Sequence, residues 1–340
     1  MKNKSLGFME LLERFFGEYV PYSEGLSDNT LISYKFAFRL LFEYLYEEKG
    51  IPADKVTFKH LAFDTVNDFL LWLEEKRRCS VATRNIRLAA LSSFAKYAQN
   101  RNLEAATTFM NCVKKVPVKK YAEKMRTVFS LDEVAILLRL PNCKTSIGYR
   151  DCVMLNLMYA SGARAQEICD LTVRNVQFQG DVTKLTIKGK GDKIRRVNIA
   201  KPCDILLKQY IEKRGLQNSM NNHIFSSQTH EHMKTSCIRM IFKKYLKLAK
   251  KGNPKLFLES YSPHSMRHTT ATHMLEAGVP IMAIKNFLGH ASVTTTERYA
   301  ELSQNTVNKH IREWNQKWFP QDEDTMATGE PGNSLPDFLR

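Results

Sequence analysis

The amino-acid sequence predicts a mainly α-helical chain with a small antiparallel β-sheet, divided into an N-terminal helical bundle and a mixed α+β second domain. Three observations predict it. Apolar residues recur at helical spacing through most of the chain. One stretch, 182–200, alternates as strands do. The length, 340 residues, exceeds what one core usually fills.

The elements follow in order. In "SDNTLISYKFAFRLLFEYLYEEKG" the residues Leu31, Tyr34, Phe38, Leu41 and Leu45 form one apolar stripe, with Ser27 or Asp28 as N-cap and Gly50 as the stop. "AFDTVNDFLLWLEEKRR" and "SVATRNIRLAALSSFAKYAQNRN" repeat that pattern, with Asp64 and Ser80 as caps. On the latter helix Arg84, Arg87 and Lys96 are expected on the face opposite Ile86, Leu88, Leu91 and Phe94. Residues 1–111 thus read as a bundle of antiparallel helices. Residues 112–126, "CVKKVPVKKYAEKMR", carry six basic residues, one acid and a proline, and read as an extended basic linker. Ser130 and Glu133 then mark a capping box, which places the domain boundary near 125 and the second domain at 127–320. Within it, "YRDCVMLNLMYASGARAQEICDL" predicts a helix broken near Gly162, and "VTKLTIKGKGDKIRRVNIA" predicts a hairpin. Further helices are expected at about 202–214, 236–250, 264–277, 280–288 and 304–316. The acidic tail, 321–340, has the composition of a disordered segment.

Charge restricts function. Lys and Arg outnumber Asp and Glu by 51 to 35, and the tail alone holds five acids and one base. The rest of the chain therefore carries a net charge of +20, from 50 basic against 30 acidic residues. Such an excess points to a polyanion, and nucleic acid is the commonest partner of that kind. No run of about 18 apolar residues suggests a membrane span, and the N-terminus lacks a small-residue cleavage site. An intracellular, cytoplasmic protein is expected. The cysteines, at 79, 112, 143, 152, 169, 203 and 237, form no C-x-x-C pair and are read as buried free thiols.

Five short stretches of the second domain hold polar groups that a helix or hairpin would not itself require. Arg164 follows the Ser161-Gly162 break. Lys190 lies in "KGKGDK", between glycines that let backbone approach a ligand. His264 and Arg267 are three apart on one helix face. His290 ends "KNFLGH", and Tyr299 comes nine residues later. His264, His268 and His273 also invite a metal reading, but "HSMRH" lacks the glutamate of H-E-x-x-H and sets a cation, Arg267, between the ligands. No metal and no cofactor are expected. Together the groups suit phosphoryl transfer. Guanidiniums grip the non-bridging oxygens of a phosphodiester, a lysine or imidazole protonates the leaving alkoxide, and a tyrosine serves as nucleophile.

"SGARAQEICDL", "KGKGDKIRRV", "SPHSMRHTTATHMLEAGV" and "FLGHASVTTTERYA", in that order, resemble the tyrosine recombinase (phage integrase) family, and the likeness spans nearly the whole chain. The resemblance implies an N-terminal core-binding domain, a linker and a catalytic domain that cuts and rejoins DNA without metal or ATP. It implies that Tyr299 attacks to form a 3′-phosphotyrosyl bond, that Arg164 and Arg267 hold the scissile phosphate, and that Lys190 protonates the 5′-oxygen. His264 would act as general base or orienting group, His290 would hydrogen-bond the phosphate, and Glu167 would buttress the arginines. Thr83, Arg84, Arg87, Lys96, Lys114, Lys115, Lys119 and Lys120 are candidate DNA contacts. Four protomers on two duplexes are implied, with a monomer or dimer on one site. A C-terminal helix with Val307, Ile311, Trp314 and Trp318 on one face could dock into a neighbour.

Two other classes compete: a catalytically silent DNA-binding protein of the same fold, and a type IB topoisomerase-like enzyme. Helices beginning almost at residue 5 leave no room for an added arm-binding domain, which favours a two-domain Xer-like or transposon-integrase type. The sequence leaves open integration, excision, resolution or transposition.

Overall fold

Helical periodicity becomes helix in the computed structural model, which describes residues 7–23, 27–122, 127–180, 182–189, 193–199 and 201–289. The chain divides into two units, Met1–Lys124 and Met125–Arg340.

Among the described residues of the first unit every regular element is a helix. α1 (Phe8–Arg14) continues, wound more loosely, to Ser23. α2 (Asp28–Lys49) starts after Ser27 and stops at Gly50, whose φ of 65° is the left-handed conformation that closes a helix without a Cβ clash. Phe38, Leu41 and Leu45 of its expected stripe are buried, and Leu31 and Tyr34 pack on the same cluster. α3 (Phe63–Glu75) starts two residues earlier than expected, with Ala62 rather than Asp64 as N-cap and Asp64 in its first turn. α4 (Val81–Gln99) is capped by Ser80, whose hydroxyl accepts from the Thr83 N–H. Edge-on aromatic contacts knit these helices: the ring of Phe94 lies 5.2 to 5.4 Å from those of Phe8, Phe15 and Phe38.

Two expectations are corrected here. α5 (Leu103–Lys115) carries Cys112, Lys114 and Lys115 on its last turn, so extended chain begins only after it. Asn102 caps this helix, and Ala106, Phe109, Met110 and Val113 form its buried stripe. The face assigned to α4 is also wrong at one end. Arg84 is 2% exposed and Ile86 is 50% exposed. Arg84 does not face solvent or a ligand: it donates to the Pro117 carbonyl at 2.7 Å and to Asn85 Oδ1 at 3.0 Å. Asn85 in turn bonds both the N–H and the carbonyl of Lys119. The segment after α5 is thus fastened along α4, and a cation is worth burying because it satisfies a carbonyl there. Arg87 is half-buried as well, donating to the Ser33 carbonyl and hydroxyl and lying over Phe36. Lys96, Lys114, Lys115 and Lys120 are exposed, and Lys119 pairs with Glu74 at 2.6 Å.

The second unit surrounds α7 (Ser146–Ser161), which is apolar on nearly every side and is buried accordingly. Before it, α6 (Leu131–Arg139) has the expected capping box between Ser130 and Glu133. After it come α8 (Ala165–Cys169), the strands β1 (Val176–Gln179), β2 (Val182–Lys188) and β3 (Ile194–Ile199), and α9 (Cys203–Lys213). The unit's described part ends with α10 (Thr235–Gly252), α11 (Pro263–Glu276) and α12 (Ile281–Leu288). The sheet is antiparallel in the order β1-β2-β3, with Val176 opposite Leu185 and Leu185 opposite Val197. Alternation sends Thr183, Leu185, Ile187, Val197 and Ile199 into the core. All seven cysteines are free, but only Cys152, Cys169 and Cys203 are buried. Residues 304–316 and the tail 321–340 lie outside the described residues.

Candidate active site

The start of α8 sets the first group. Gly162 ends α7 at φ 56°, and a Cβ there would lie 2.7 Å from a methyl of Leu288. Only glycine permits both the left-handed turn and that approach. The chain then re-enters helix with Arg164 as N-cap. Glu167 folds back on it. One carboxylate oxygen accepts from the Arg164 N–H at 2.8 Å, and the other accepts from the Arg164 guanidinium at 2.8 Å.

The same carboxylate receives a second arginine. Arg195, on β3, donates through its two terminal nitrogens to the two Glu167 oxygens at 3.0 and 2.7 Å. The two side chains are only 8% and 5% exposed. Burial by itself would raise the carboxyl pKa. The Arg195 pair and the Arg164 hydrogen bonds outweigh it and hold the group at about 2. Glu167 is therefore a carboxylate at any physiological pH. Sequence reading does not single out Arg195, yet it carries a signal for it. Arg195 sits two before Val197 and four before Ile199, an arginine in the inward register of a strand.

Arg267 is fixed from a third direction. It is 3% exposed on α11, and donates to the Gly162 carbonyl at 2.7 Å and the Leu288 carbonyl at 2.6 Å. It therefore joins the end of α7 to the end of α12. A loop held by Glu133 leads into α11. Glu133 accepts from the Phe257 N–H at 2.7 Å and the Tyr261 hydroxyl at 2.9 Å, while Tyr261 stacks on Phe129 at 4.0 Å.

His264 opens α11 and keeps part of its surface open to solvent. Its pKa is lowered by loss of hydration and by the cations Arg164, Arg267 and Arg239. Because the ring is not enclosed, the three cations are the more telling cause: they place His264 in a strongly positive field that favours neutral imidazole. Arg239, on the exposed side of α10, is a second cation that sequence reading does not single out.

Two glycines complete the frame. Gly189 donates to the Lys193 carbonyl at 2.8 Å across the hairpin turn, and a Cβ on it would be 3.3 Å from a Glu167 oxygen. Gly289, at φ 68°, closes α12, and a Cβ on it would be 3.0 Å from the Arg195 Cδ. Lys190, His290 and Tyr299 lie outside the described residues, the first two next in the chain to Gly189 and Gly289.

His268 and His273 form no metal set with His264. His273 bridges the Tyr159 hydroxyl at 2.9 Å and the Phe129 carbonyl at 3.0 Å. Among the described residues no group of three or more His, Cys, Asp or Glu could hold a metal ion, and no helix is long and apolar enough to cross a membrane.

Residues 128–306 match the phage integrase family, and residues 12–102 match the phage integrase N-terminal SAM-like domain. The chain belongs to the phage integrase family. Among curated relatives it is 30% identical to a putative integrase/recombinase of Sinorhizobium fredii over 298 residues, 88% of this chain and 89% of that one. It is 28% identical to the tyrosine recombinase XerC of Syntrophus aciditrophicus, over 88% of this chain and 95% of that one. Two solved structures share the fold. One is the XerH site-specific recombinase bound to palindromic difH substrate, with a TM-score of 0.68 at 19% identity, covering 86% and 82% of the two chains. The other is the Tn1549 transposon integrase in complex with transposon right end DNA, with a TM-score of 0.66 at 17% identity, covering 88% and 98%. The mainly helical fold with a small antiparallel sheet is that of tyrosine recombinases, and the activity implied by the resemblance, breakage and rejoining of DNA strands in site-specific recombination, is that of the family.

Proposed function

We propose that this phage integrase family member recombines DNA at a specific site through a covalent bond between Tyr299 and a 3′-phosphate. One observation carries the proposal: four chain segments remote in sequence converge around Arg164, Glu167 and Arg267, and two of them end at the residues just before Lys190 and His290. The phenolic oxygen of Tyr299 bonds to phosphorus as the bond to the 5′-oxygen breaks. The leaving oxygen takes a proton from Lys190 and becomes a 5′-hydroxyl. Arg164, Arg267 and His290 neutralise charge on the non-bridging oxygens. Donors of this kind contribute about 3–4 kcal/mol each to lowering a barrier. His264, neutral in its cationic surroundings, is suited to accept the phenolic proton or to orient the phosphate. The phosphotyrosyl bond retains the energy of the bond it replaced, so attack by a 5′-hydroxyl from another strand completes exchange without ATP or metal.

The N-terminal unit is the core-binding domain in this reading, and the basic stretch that ends near residue 126 draws the two domains against phosphates. Lys96, Lys114, Lys115 and Lys120 are its exposed candidate contacts. Four protomers on two duplexes, acting in the cytoplasm, complete the proposal.

The test is covalent capture. Nicked duplexes with randomised core sequences are incubated with the protein, the reaction is stopped with detergent, and protein-linked DNA is sequenced. Enrichment of one core sequence by the wild type, and no linked DNA from Tyr299→Phe, is the expected result. Exchange between two duplexes of the enriched sequence separates a recombinase from a topoisomerase.

A further inference from the structure

We propose that Arg195 is a positioning residue for strand cleavage: it fixes Glu167, and through it Arg164, while its stem seats the backbone of Gly289. The inference rests on the reading of Tyr299 as nucleophile and Arg164 as a phosphate ligand.

The geometry is a relay. Arg195 holds both oxygens of Glu167, and Glu167 holds both the backbone N–H and the guanidinium of Arg164. An arginine fork matched to a carboxylate has one favoured orientation, whereas a lysine in its place would be a point charge free to pivot. The hairpin faces the same carboxylate, since a Cβ added at Gly189 would be 3.3 Å from a Glu167 oxygen. On its other side Arg195 meets α12. Its Cδ would lie 3.0 Å from a Cβ at residue 289, so its stem and that backbone are packed together. A single side chain thus touches α8, carries the strand that follows the Lys190 turn, and abuts the residue before His290.

The arrangement has a cost. Arg195 Nε is buried and has no hydrogen-bond acceptor among the described residues. A guanidinium placed only to neutralise Glu167 could turn to satisfy that donor. Instead both terminal nitrogens are committed to Glu167, which keeps the carboxylate in the one orientation that also serves Arg164.

The experiment uses the full chain and the nicked duplex enriched by covalent capture. Single-turnover adduct formation, duplex affinity and thermal unfolding are measured for wild type, Arg195→Lys, Arg195→Gln, Gly189→Ala and Tyr299→Phe. Displacement of a group set at a distance from the chemistry can slow a reaction by about 100-fold. Arg195→Lys and Arg195→Gln are expected to bind the duplex within about threefold of wild type while forming adduct at a rate nearer that 100-fold deficit. In Arg195→Gln the buried Glu167 loses its strongest partner, so the acid limb of the rate profile moves upward in pH, a shift that general loosening would not cause. Adduct formation within about threefold of wild type in both Arg195 variants overturns the inference, as does a loss of affinity that accounts for the whole loss of rate. Should the Arg195 variants unfold, Gly189→Ala decides, since its methyl presses on the same carboxylate. A slower rate at unchanged affinity supports the relay, and an unchanged rate overturns it. Tyr299→Phe separates the two readings: adduct from that variant, or none from wild type, removes the nucleophile assignment and this inference with it. Wild-type adduct with fully active Arg195 variants removes this inference alone.

Discussion

Arg267 donates to the backbone carbonyl of Leu288 at 2.6 Å, so a residue expected to bind phosphate also holds the end of α12 in place. Its other terminal nitrogen takes the Gly162 carbonyl at 2.7 Å. A guanidinium presents five donors, more than two carbonyls require. Structural and catalytic duties are therefore compatible in one side chain.

Arg267→Gln separates these duties poorly and is predicted to fail in both. Two buried carbonyls lose a charged donor, at a cost of about 1–3 kcal/mol each. Adduct formation should fall by at least about 100-fold. Urea unfolding beside the capture assay checks this. A variant as stable as wild type would mean the two carbonyl bonds are not worth their geometry.

Glu167 makes stability depend on acid. Its pKa is about 2 in the folded chain, against 4.5 for the ordinary side chain. A depressed carboxyl stabilises above its unfolded pKa, and that contribution is lost as pH falls from about 4.5 toward 2. The difference corresponds to roughly 3 kcal/mol, as an order of magnitude for a buried group. Glu167→Gln should therefore be less stable than wild type at pH 7 by roughly that amount, with the gap narrowing at pH 3. A gap that does not change with pH would contradict the pairing.

The sequence makes the candidate site readable where polar residues stand in plain elements, as with the arginine at the start of α8 and the histidine and arginine on one face of α11. It hides what depends on packing. Arg84 looks like a surface cation because it lies beside Asn85 and near Arg87, yet the carbonyl that it satisfies belongs to Pro117, 33 residues away. Cys112–Lys115 read as linker because lysines and a proline dominate the window, while the stripe Ala106, Phe109, Met110 and Val113 begins before it. β1 escapes a sequence reading because four residues with two glutamines alternate too briefly, and its partner is needed to define it. Arg195 is overshadowed by Lys190 in the same hairpin, although its inward register is visible.

Arg84→Met tests the corrected assignment on α4. Losing a buried donor to the Pro117 carbonyl should destabilise the protein by about 1–3 kcal/mol and leave the salt dependence of DNA binding unchanged. The pair Lys114→Gln and Lys115→Gln should do the opposite. Stability stays intact, and the dependence of log affinity on log salt becomes shallower by about one unit for each phosphate no longer neutralised. Binding titrations at three salt concentrations distinguish them.

Glu133→Ala probes the loop before His264. The substitution strips acceptors from the Ser130 and Phe257 N–H groups and from the Tyr261 hydroxyl. A loss of about 2–4 kcal/mol is expected, with slower adduct formation because α11 loses its anchored entry. Unchanged kinetics at reduced stability would confine Glu133 to folding.

The most direct test of the chemistry is a denaturing gel of the wild type and Tyr299→Phe on the same nicked duplex, run in EDTA. A covalent protein–DNA band at full intensity from the wild type, and none from Tyr299→Phe although that variant still binds the duplex, is predicted. A band from Tyr299→Phe, or a wild-type band that appears only when divalent metal is added back, would contradict it.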